Sequence, residues 1–485
     1  MHSTNRKSNT LQSLTGIFLQ SAHAPQKVVE TLARMGVSVS ANAINLATHS
    51  LSVESLHAIR VLGRTLLASY AYDNFDVDLK STTHTVEKSS DTLQHLTSGL
   101  VFPLMHGISQ EDLRCSSKLW ESSPLNPLPN PSMPTSKNSW EKLLSLRMDS
   151  NRPNEAGYTQ RDRFNSWKFL YDLIHFGPPY FSQFKDRLCD PDDIETIPVV
   201  KTPLFAACAM DLTNSTVSGN IQSIVELLRQ GGIENPDECE DPEMPDVSEY
   251  IVLFHGDLGT GERIQAALQR HAIESSPWNR LQHVLFIPGL FHLKMACADA
   301  IWRTFLQPTA ARDDETSLMH DIGILWPRET GIYGSNPGFR RMHLLINYDG
   351  ICCRLDCWRV EASNQNPLHS TLELFALSQP SFEKLQDIAD GMARKYVDAK
   401  NQLCWMRKQP TSHRDQQYEN GLLLNKYTLL YEEISYAMNW GDIGRLESCM
   451  IAWTAIFKAT GKHKYALQMT EFLCNVHFNF PDGLR

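Results

Sequence analysis

The spacing of apolar positions changes several times along the chain, and each change marks a different kind of element. In PQKVVETLARMG (25–36), Val28, Val29, Leu32 and Met35 recur at helical spacing behind Pro25, and Gly36 suits a left-handed helix end. SVSANAINLATHSLS continues with a second helix that Ser40 or Asn42 can cap. The pair reads as a helix-turn-helix or as a plain helical hairpin. The absence of a basic cluster on a recognition helix favours the hairpin. From 66 to 79 the period shortens. LLASYAYDNFDVDL is an apolar and aromatic run that passes into Asp73-Asn74 and then alternates through Phe75, Val77 and Leu79, the pattern of a strand whose end or bulge carries Asp73 and Asn74. TLQHLTSGLVFPLM (92–105) predicts a second strand that Pro103 closes.

The next stretch is punctuated. SSPLNPLPNPSMPTS (122–136) holds five prolines and is a loop, flanked by helical patterns in WEKLLSLRM and RDRFNSWKFLYDLIHF (161–176). SIVELLRQGG (223–232) is a further helix stopped by glycine. The clearest strand–turn–helix signal follows in YIVLFHGDLGTGERIQAALQRHA (250–272). Tyr250 to Phe254 form a continuous apolar run, as a strand covered on both faces requires, and a helix is expected from about Glu262. A second such unit, HVLFIPGLFHLKMACADAIWRTF (283–305), has its strand at Val284–Ile287 and its helix from His292. Two βα units in tandem predict a parallel or mixed sheet. Beyond residue 310 the patterns are almost all helical, without internal repeats, and the pattern is expected to run on past the final PDGLR.

The organisation predicted is an α/β protein: a helical N-terminal region (1–60), the first part of a mixed-sheet core (61–109), a helical and loop insertion (110–248), the second part of the core (249–310) and a mainly helical region (311–485). Composition adds limits. A hydrophobic fraction of 42% excludes wholesale disorder, and no apolar run of about 18 residues predicts a membrane span or a secretory signal. The net charge of −10 is concentrated in ENPDECEDPEMPDVSE (234–249), which holds eight acids and no base, so the rest of the chain is close to neutral. A polynucleotide partner is neither demanded nor excluded. Eleven scattered cysteines without a CxxC pair suit buried thiols in a reducing, intracellular compartment.

Candidate chemistry centres on acids at strand ends. Asp257 follows a buried strand and sits beside glycines, where open α/β sheets bind ligands. HGDLGTGE lacks the lysine of a phosphate loop and the third glycine of a dinucleotide fingerprint, so nucleotide binding is a weaker reading. As a metal-binding carboxylate Asp257 needs a partner, and Asp73 at the end of another strand is the natural one. Two such oxygens can hold Mg²⁺ (or Mn²⁺) for phosphodiester cleavage or strand transfer. The plain alternative is that both acids cap turns. Asp442 and Glu447 in NWGDIGRLESC are candidates for a third acid, against the ordinary roles of N-cap and surface acid. Glu432 and Glu433 are expected to face solvent. His292, opening a helix on which Asp299 and Arg303 can pair, and His255, beside Asp257, are candidates for orienting a phosphate or donating a proton. CCRLDC (352–357) lacks zinc-knuckle spacing and reads as a buried strand or turn. No GxSxG, HExxH or kinase signature is present.

AYDNFDVDLKSTTHTVEKSSDTLQHLTSG, HGDLGTGERI, HVLFIPGLFHLKMACADAIWR and GDIGRLE…WTAIFKATGKHKYA together resemble a large fungal family of unknown function, similar in turn to cut-and-paste DNA transposases. The resemblance spans the chain from about residue 20. It implies an RNase H-like core, DNA as partner, a nuclear location and a Mg²⁺-dependent polynucleotidyl transferase or its inactive descendant. Asp73 matches the first-strand acid and Asp257 the fourth-strand acid. The third is Asp442, Glu447 or an acid beyond the end of this chain. The competing expectation is a non-catalytic DNA- or protein-binding protein that keeps the fold alone.

Overall fold

The structure is a computed structural model that describes residues 9–78, 93–128, 140–145, 152–242, 244–306, 317–328, 331–333, 337–398 and 402–484. The principal elements in chain order are α1 (Thr10–Ser21), α2 (Gln26–Arg34), α3 (Ala41–Arg64), β1 (Ala68–Asp78), β2 (Leu93–Pro103), α4 (Gln160–Phe176), β3 (Phe205–Ala206), α5 (Val217–Gln230), β4 (Val252–Gly256), α6 (Leu258–His271), β5 (Val284–Pro288), α7 (Leu290–Phe305), α8 (Phe339–Gln365), α9 (Phe382–Lys395), α10 (Gln416–Trp440), α11 (Ile443–Ala459) and α12 (His463–Cys474). They form two compact units. One draws on Met1–Thr135, Lys201–Ile287 and Pro481–Arg485, the other on Ser136–Val200 and Pro288–Phe480.

The first unit is mixed α/β. Its five strands run in the order β3-β2-β1-β4-β5. β1 and β2 pair antiparallel from Ala68↔Pro103 to Asp78↔Leu93, β2 pairs antiparallel with β3, and β1 pairs parallel with β4 through Ser69↔Leu253, Tyr70↔Phe254 and Ala71↔His255. The first half of β1 is buried on both faces, Ala68, Ser69 and Tyr70 alike; from Asp73 onward exposed acids alternate with half-buried apolar residues. Tyr70 stacks on Phe254 at 5.3 Å between ring centroids and Tyr72 meets the same ring edge-on at 6.3 Å. Ile224, Leu227 and Leu228 of α5 and Ile264 and Ala267 of α6 join this core. Gly99 of β2 gives Leu227 its room here, since a Cβ would stand 2.4 Å from a Leu227 methyl, which would have to shift. Ile251, Leu113 and Cys115, with Leu253 and Leu285 against them, make a second, smaller core. Because strand side chains alternate between faces, Leu253 and His255 point away from the Phe254 side of the sheet.

Four of the strands lie where the apolar pattern predicts them. β3 escapes notice because two residues carry no periodic signal. α1 is likewise absent from the reading, and α6 and α7 begin at Leu258 and Leu290, four and two residues before the expected starts. Gly36 takes the left-handed conformation (φ 74°), and the Ser40 side chain accepts a bond from the Ala43 N–H as the cap of α3.

The second unit is helical. α7, α10, α11 and α12 share one apolar core around Trp453 and Phe457, and α4, α8 and α9 another around Phe169 and Trp358, whose Nε1 donates to the Phe169 carbonyl at 2.9 Å. CCRLDC, expected as strand or turn, lies inside α8. Its local composition looks like a buried strand, but the helical apolar spacing of Met342, Leu345, Ile346 and Trp358 prevails over 27 residues. α10 ends on Gly441 in the left-handed region (φ 70°), and Asp442 caps α11 immediately afterwards. Among the described residues no helix is long and apolar enough to cross a membrane.

Candidate functional site

β1 and β4 are adjacent and parallel, so their carboxyl ends lie at the same edge of the sheet. Two residues beyond the last paired residues, Ala71↔His255, stand Asp73 and Asp257. Neighbouring strands are about 4.8 Å apart; Asp73 lies inside β1, opposite Ser98, rather than at the strand end expected, and Asp257 has left β4 as the N-cap of α6. Asp73 is exposed and Asp257 half-buried. Each carboxylate has one oxygen engaged: Asp73 Oδ1 accepts from the Asn74 N–H at 2.8 Å, and Asp257 Oδ1 from the Thr260 N–H at 2.7 Å. Among the described residues, Oδ2 of each has no partner. Hard, ionised oxygens with free lone pairs are the donors a Mg²⁺ ion takes, with water completing its shell. The donor set fits, as two ligands of a larger number. Among the described residues no group of three or more His, Cys, Asp or Glu side chains is arranged to hold a metal ion.

The residues next to the pair are tightly tied. Tyr72 is buried and its hydroxyl donates to Asn220 Oδ1 at 2.9 Å. Burial pushes its pKa well up, with Arg263 pulling down and Asp257 pushing up, so both charges act on the same hydroxyl. Asn74 Oδ1 accepts from the Asn214 N–H at 3.0 Å and from Thr97 Oγ1 at 3.3 Å, while Asn74 Nδ2 donates to Ser215 Oγ at 3.1 Å. Ser215 in turn offers its carbonyl to Arg263 Nε at 3.1 Å. His255 packs on Phe102 at 5.3 Å, and desolvation lowers its pKa to about 4, which leaves the ring neutral at pH 7. A neutral imidazole is a poor partner for a phosphate charge.

HGDLGTGE is a helix start rather than a phosphate cradle. Gly259, Thr260 and Gly261 form the first turn of α6. The Thr260 N–H is taken by the Asp257 side chain and the Gly261 N–H by the Asp257 carbonyl at 3.1 Å. Two of the three amide groups that would have to converge on an anion are thereby committed.

The other acids expected at the site belong to the helical unit. Asp442 is fully buried. Its Oδ1 accepts from the Arg445 and Glu195 N–H groups at 3.0 and 3.2 Å, and its Oδ2 from Arg445 Nε and the Ile194 N–H at 3.0 and 3.3 Å. It fulfils the N-cap role and has no oxygen to spare. Glu447 pairs with His477 at 3.0 Å. His292 is half-buried in the first turn of α7, edge-on to Phe291 at 5.9 Å. Asp299 and Arg303 form the expected pair at 2.8 Å, and Asp299 also meets Lys462. Glu432 and Glu433, expected in solvent, are buried. Glu432 binds Arg354 Nη2 through both oxygens at 2.7 and 2.9 Å and Lys168 at 3.2 Å; Glu433 binds Arg161 at 2.9 Å and Arg445 at 3.3 Å. Their cationic partners come from α4, α8 and α11, and nothing local to α10 announces them. Within the sheet unit Ser215 and Arg263 were not singled out, and Asn74 was placed beside Asp73 without a role. The signal available was the Asp-Asn pair that ends the apolar run of β1 and an arginine just over one and a half turns past the Asp257 cap.

A family model matches residues 139–485 of the chain. The chain belongs to DUF6589, a family of unknown function. The DUF6589 stretch takes in Asp257, α6 and the helical unit; β1, β2 and Asp73 precede it. It is shorter than the likeness from about residue 20 that the motifs suggest. No curated protein and no solved structure matches the chain.

Proposed function

We propose that this DUF6589 member is a transposase-derived protein with an RNase H-like core, and that Asp73 and Asp257 act as two carboxylate ligands of a divalent cation used to cleave or transfer a DNA phosphodiester. One observation carries the reading: acids nearly two hundred positions apart each lie two residues past the paired stretch of neighbouring parallel strands, Asp73 inside β1 and Asp257 at the cap that follows β4, each with one oxygen unpartnered among the described residues. The insertion of β4 beside β1 supports the assignment of first-strand and fourth-strand acids, and Mg²⁺ or Mn²⁺ would supply activation of a water or 3′-hydroxyl and charge neutralisation at the leaving oxygen. Asp257→Asn tests the reading cleanly, since asparagine keeps the helix cap while removing the charge. The wild-type chain is expected to nick supercoiled DNA with Mg²⁺ or Mn²⁺, and the variant to lose about a hundredfold or more in rate. Equal rates in both proteins sink the assignment.

A second reading, a DNA-binding descendant without catalysis, is favoured by the lack of a third acid beside the pair among the described residues. Asp442 is saturated, Glu447 is paired, and no three-ligand group exists among the described residues. DNA binding without nicking in either metal is the outcome that selects it.

A further inference from the structure

Arg263 differs from the other arginines around which the molecule is built. Arg161, Arg354, Arg414 and Arg445 each lie against a carboxylate. Among the described residues Arg263 forms no ion pair, although Asp257 is close. The point where a Cβ on Gly259 would sit is 3.1 Å from Arg263 Nη1 and 3.5 Å from each Asp257 oxygen. The missing side chain therefore leaves open the space that the guanidinium and the carboxylate flank together. Arg263 is also held in place. Its Nε donates to the Ser215 carbonyl, Ser215 Oγ accepts from Asn74 Nδ2, and Asn74 is the residue directly after Asp73. The loop beneath is pinned by the Asn220 side chain, which donates to the carbonyls of Asn214 and Thr216. A guanidinium anchored through Nε keeps Nη1 and Nη2 free as a two-pronged donor, the geometry that matches a pair of phosphoryl oxygens.

We infer that Arg263 holds the non-bridging oxygens of the phosphodiester on which the Asp73–Asp257 pair acts, and that Asn74 is its positioning residue, acting through Ser215. The inference rests on the reading of that pair given above. Charge selects the ligand class. Two carboxylates, one divalent cation, Arg263 and one singly charged phosphodiester sum to neutrality, whereas a phosphomonoester, at about −1.5 to −2, leaves an excess of negative charge. Asparagine in position 74 thus does for the arginine what the backbone register does for the acids. Both are delivered to the same edge of the sheet by β1.

The test uses the full chain, a 30-mer DNA duplex and two readouts. The first is binding in EDTA across a salt series, which needs no metal; the second is Mg²⁺- or Mn²⁺-dependent nicking. Arg263→Gln is expected to lower the slope of log affinity against log salt by about one and the nicking rate about tenfold or more. Arg263→Lys is expected to keep the slope and recover only part of the rate, because an ammonium lacks the fork. Asn74→Ala is expected to keep the slope and lower kcat with little change in KM, with thermal melting checking that the fold persists. If Arg263→Gln leaves slope and rate at wild-type values while Asp257→Asn abolishes nicking, the role of Arg263 is overturned and the catalytic reading stands. If no protein nicks DNA, the catalytic reading falls and the slope alone decides: an unchanged slope in Arg263→Gln overturns the inference. A wild-type chain that does not bind the duplex overturns both.

Discussion

The two units treat the same residue type in opposite ways. At the edge of the sheet, Asp73 and Asp257 each have one oxygen bonded to a nearby backbone N–H and the other open. In the helical unit, Asp172, Glu432, Glu433 and Asp442 are buried and their oxygens face Lys168, Arg161, Arg354 and Arg445. Removing a carboxylate from water costs several kcal/mol, and only close opposite charge and full hydrogen bonding offset it. The helical acids meet that condition and are consumed by it. Exposed Asp73 and half-buried Asp257 each keep one oxygen without a partner among the described residues. An acid's free oxygens, more than its position in a motif, separate structural from chemical roles.

That contrast can be broken in order of size. Glu432→Ala leaves Arg354 and Lys168 buried against too little charge, and a loss of about 3–5 kcal/mol is expected by chemical denaturation; a loss below 1 kcal/mol would show that the network is dispensable. Next comes the buried imidazole of the sheet unit. His283 is enclosed, stacked on Trp278 at 4.9 Å, and neither ring nitrogen has a partner. Desolvation lowers its pKa to about 4. Between that value and the ordinary 6.5 the unfolded chain takes up a proton that the folded chain does not. Stability is therefore full above about pH 6.5 and declines by something on the order of 3 kcal/mol as pH falls to about 4. His283→Phe should flatten this part of the profile, and an unchanged profile would assign the acid sensitivity elsewhere. Asp257→Ala, which removes the α6 cap, is expected to cost about 1 kcal/mol. Asp73→Asn closes the series: a stability within about 0.5 kcal/mol of wild type, measured alongside a lost nicking activity, is the signature of an acid kept for chemistry.

Much of the sheet was legible because β1 and β4 are written in contiguous apolar residues that end abruptly in aspartate. That β1 and β4 lie side by side was expected from the pairing of Asp73 with Asp257 and from the family resemblance, not from the pattern of either segment. The pairing of Ala71 with His255 depends on contacts between segments far apart in the chain, and neither segment encodes its neighbour. Glu432 and Glu433 were misread for the same reason: two adjacent glutamates in a helix look solvated until Arg354 and Arg161, 78 and 272 residues away, are brought against them. Asp442 was the easier case, since a glycine followed by aspartate at a helix junction already describes a cap, and the structure adds only that nothing of its carboxylate is left over.

The strand order has a consequence for the chain as it is made. β1 is flanked by β2 on one side and β4 on the other, yet β4 emerges about 150 residues after β2 is complete. At typical synthesis rates of about 5–20 residues per second, one edge of an aromatic-rich strand stands uncovered on the ribosome for roughly 8–30 s, long enough to recruit a stray strand from another chain. Asp73, Asp76 and Asp78, exposed along the outer half of β1, repel such intruders during the wait. The charges proposed to receive a cation in the finished sheet thus also guard the nascent polypeptide against aggregation.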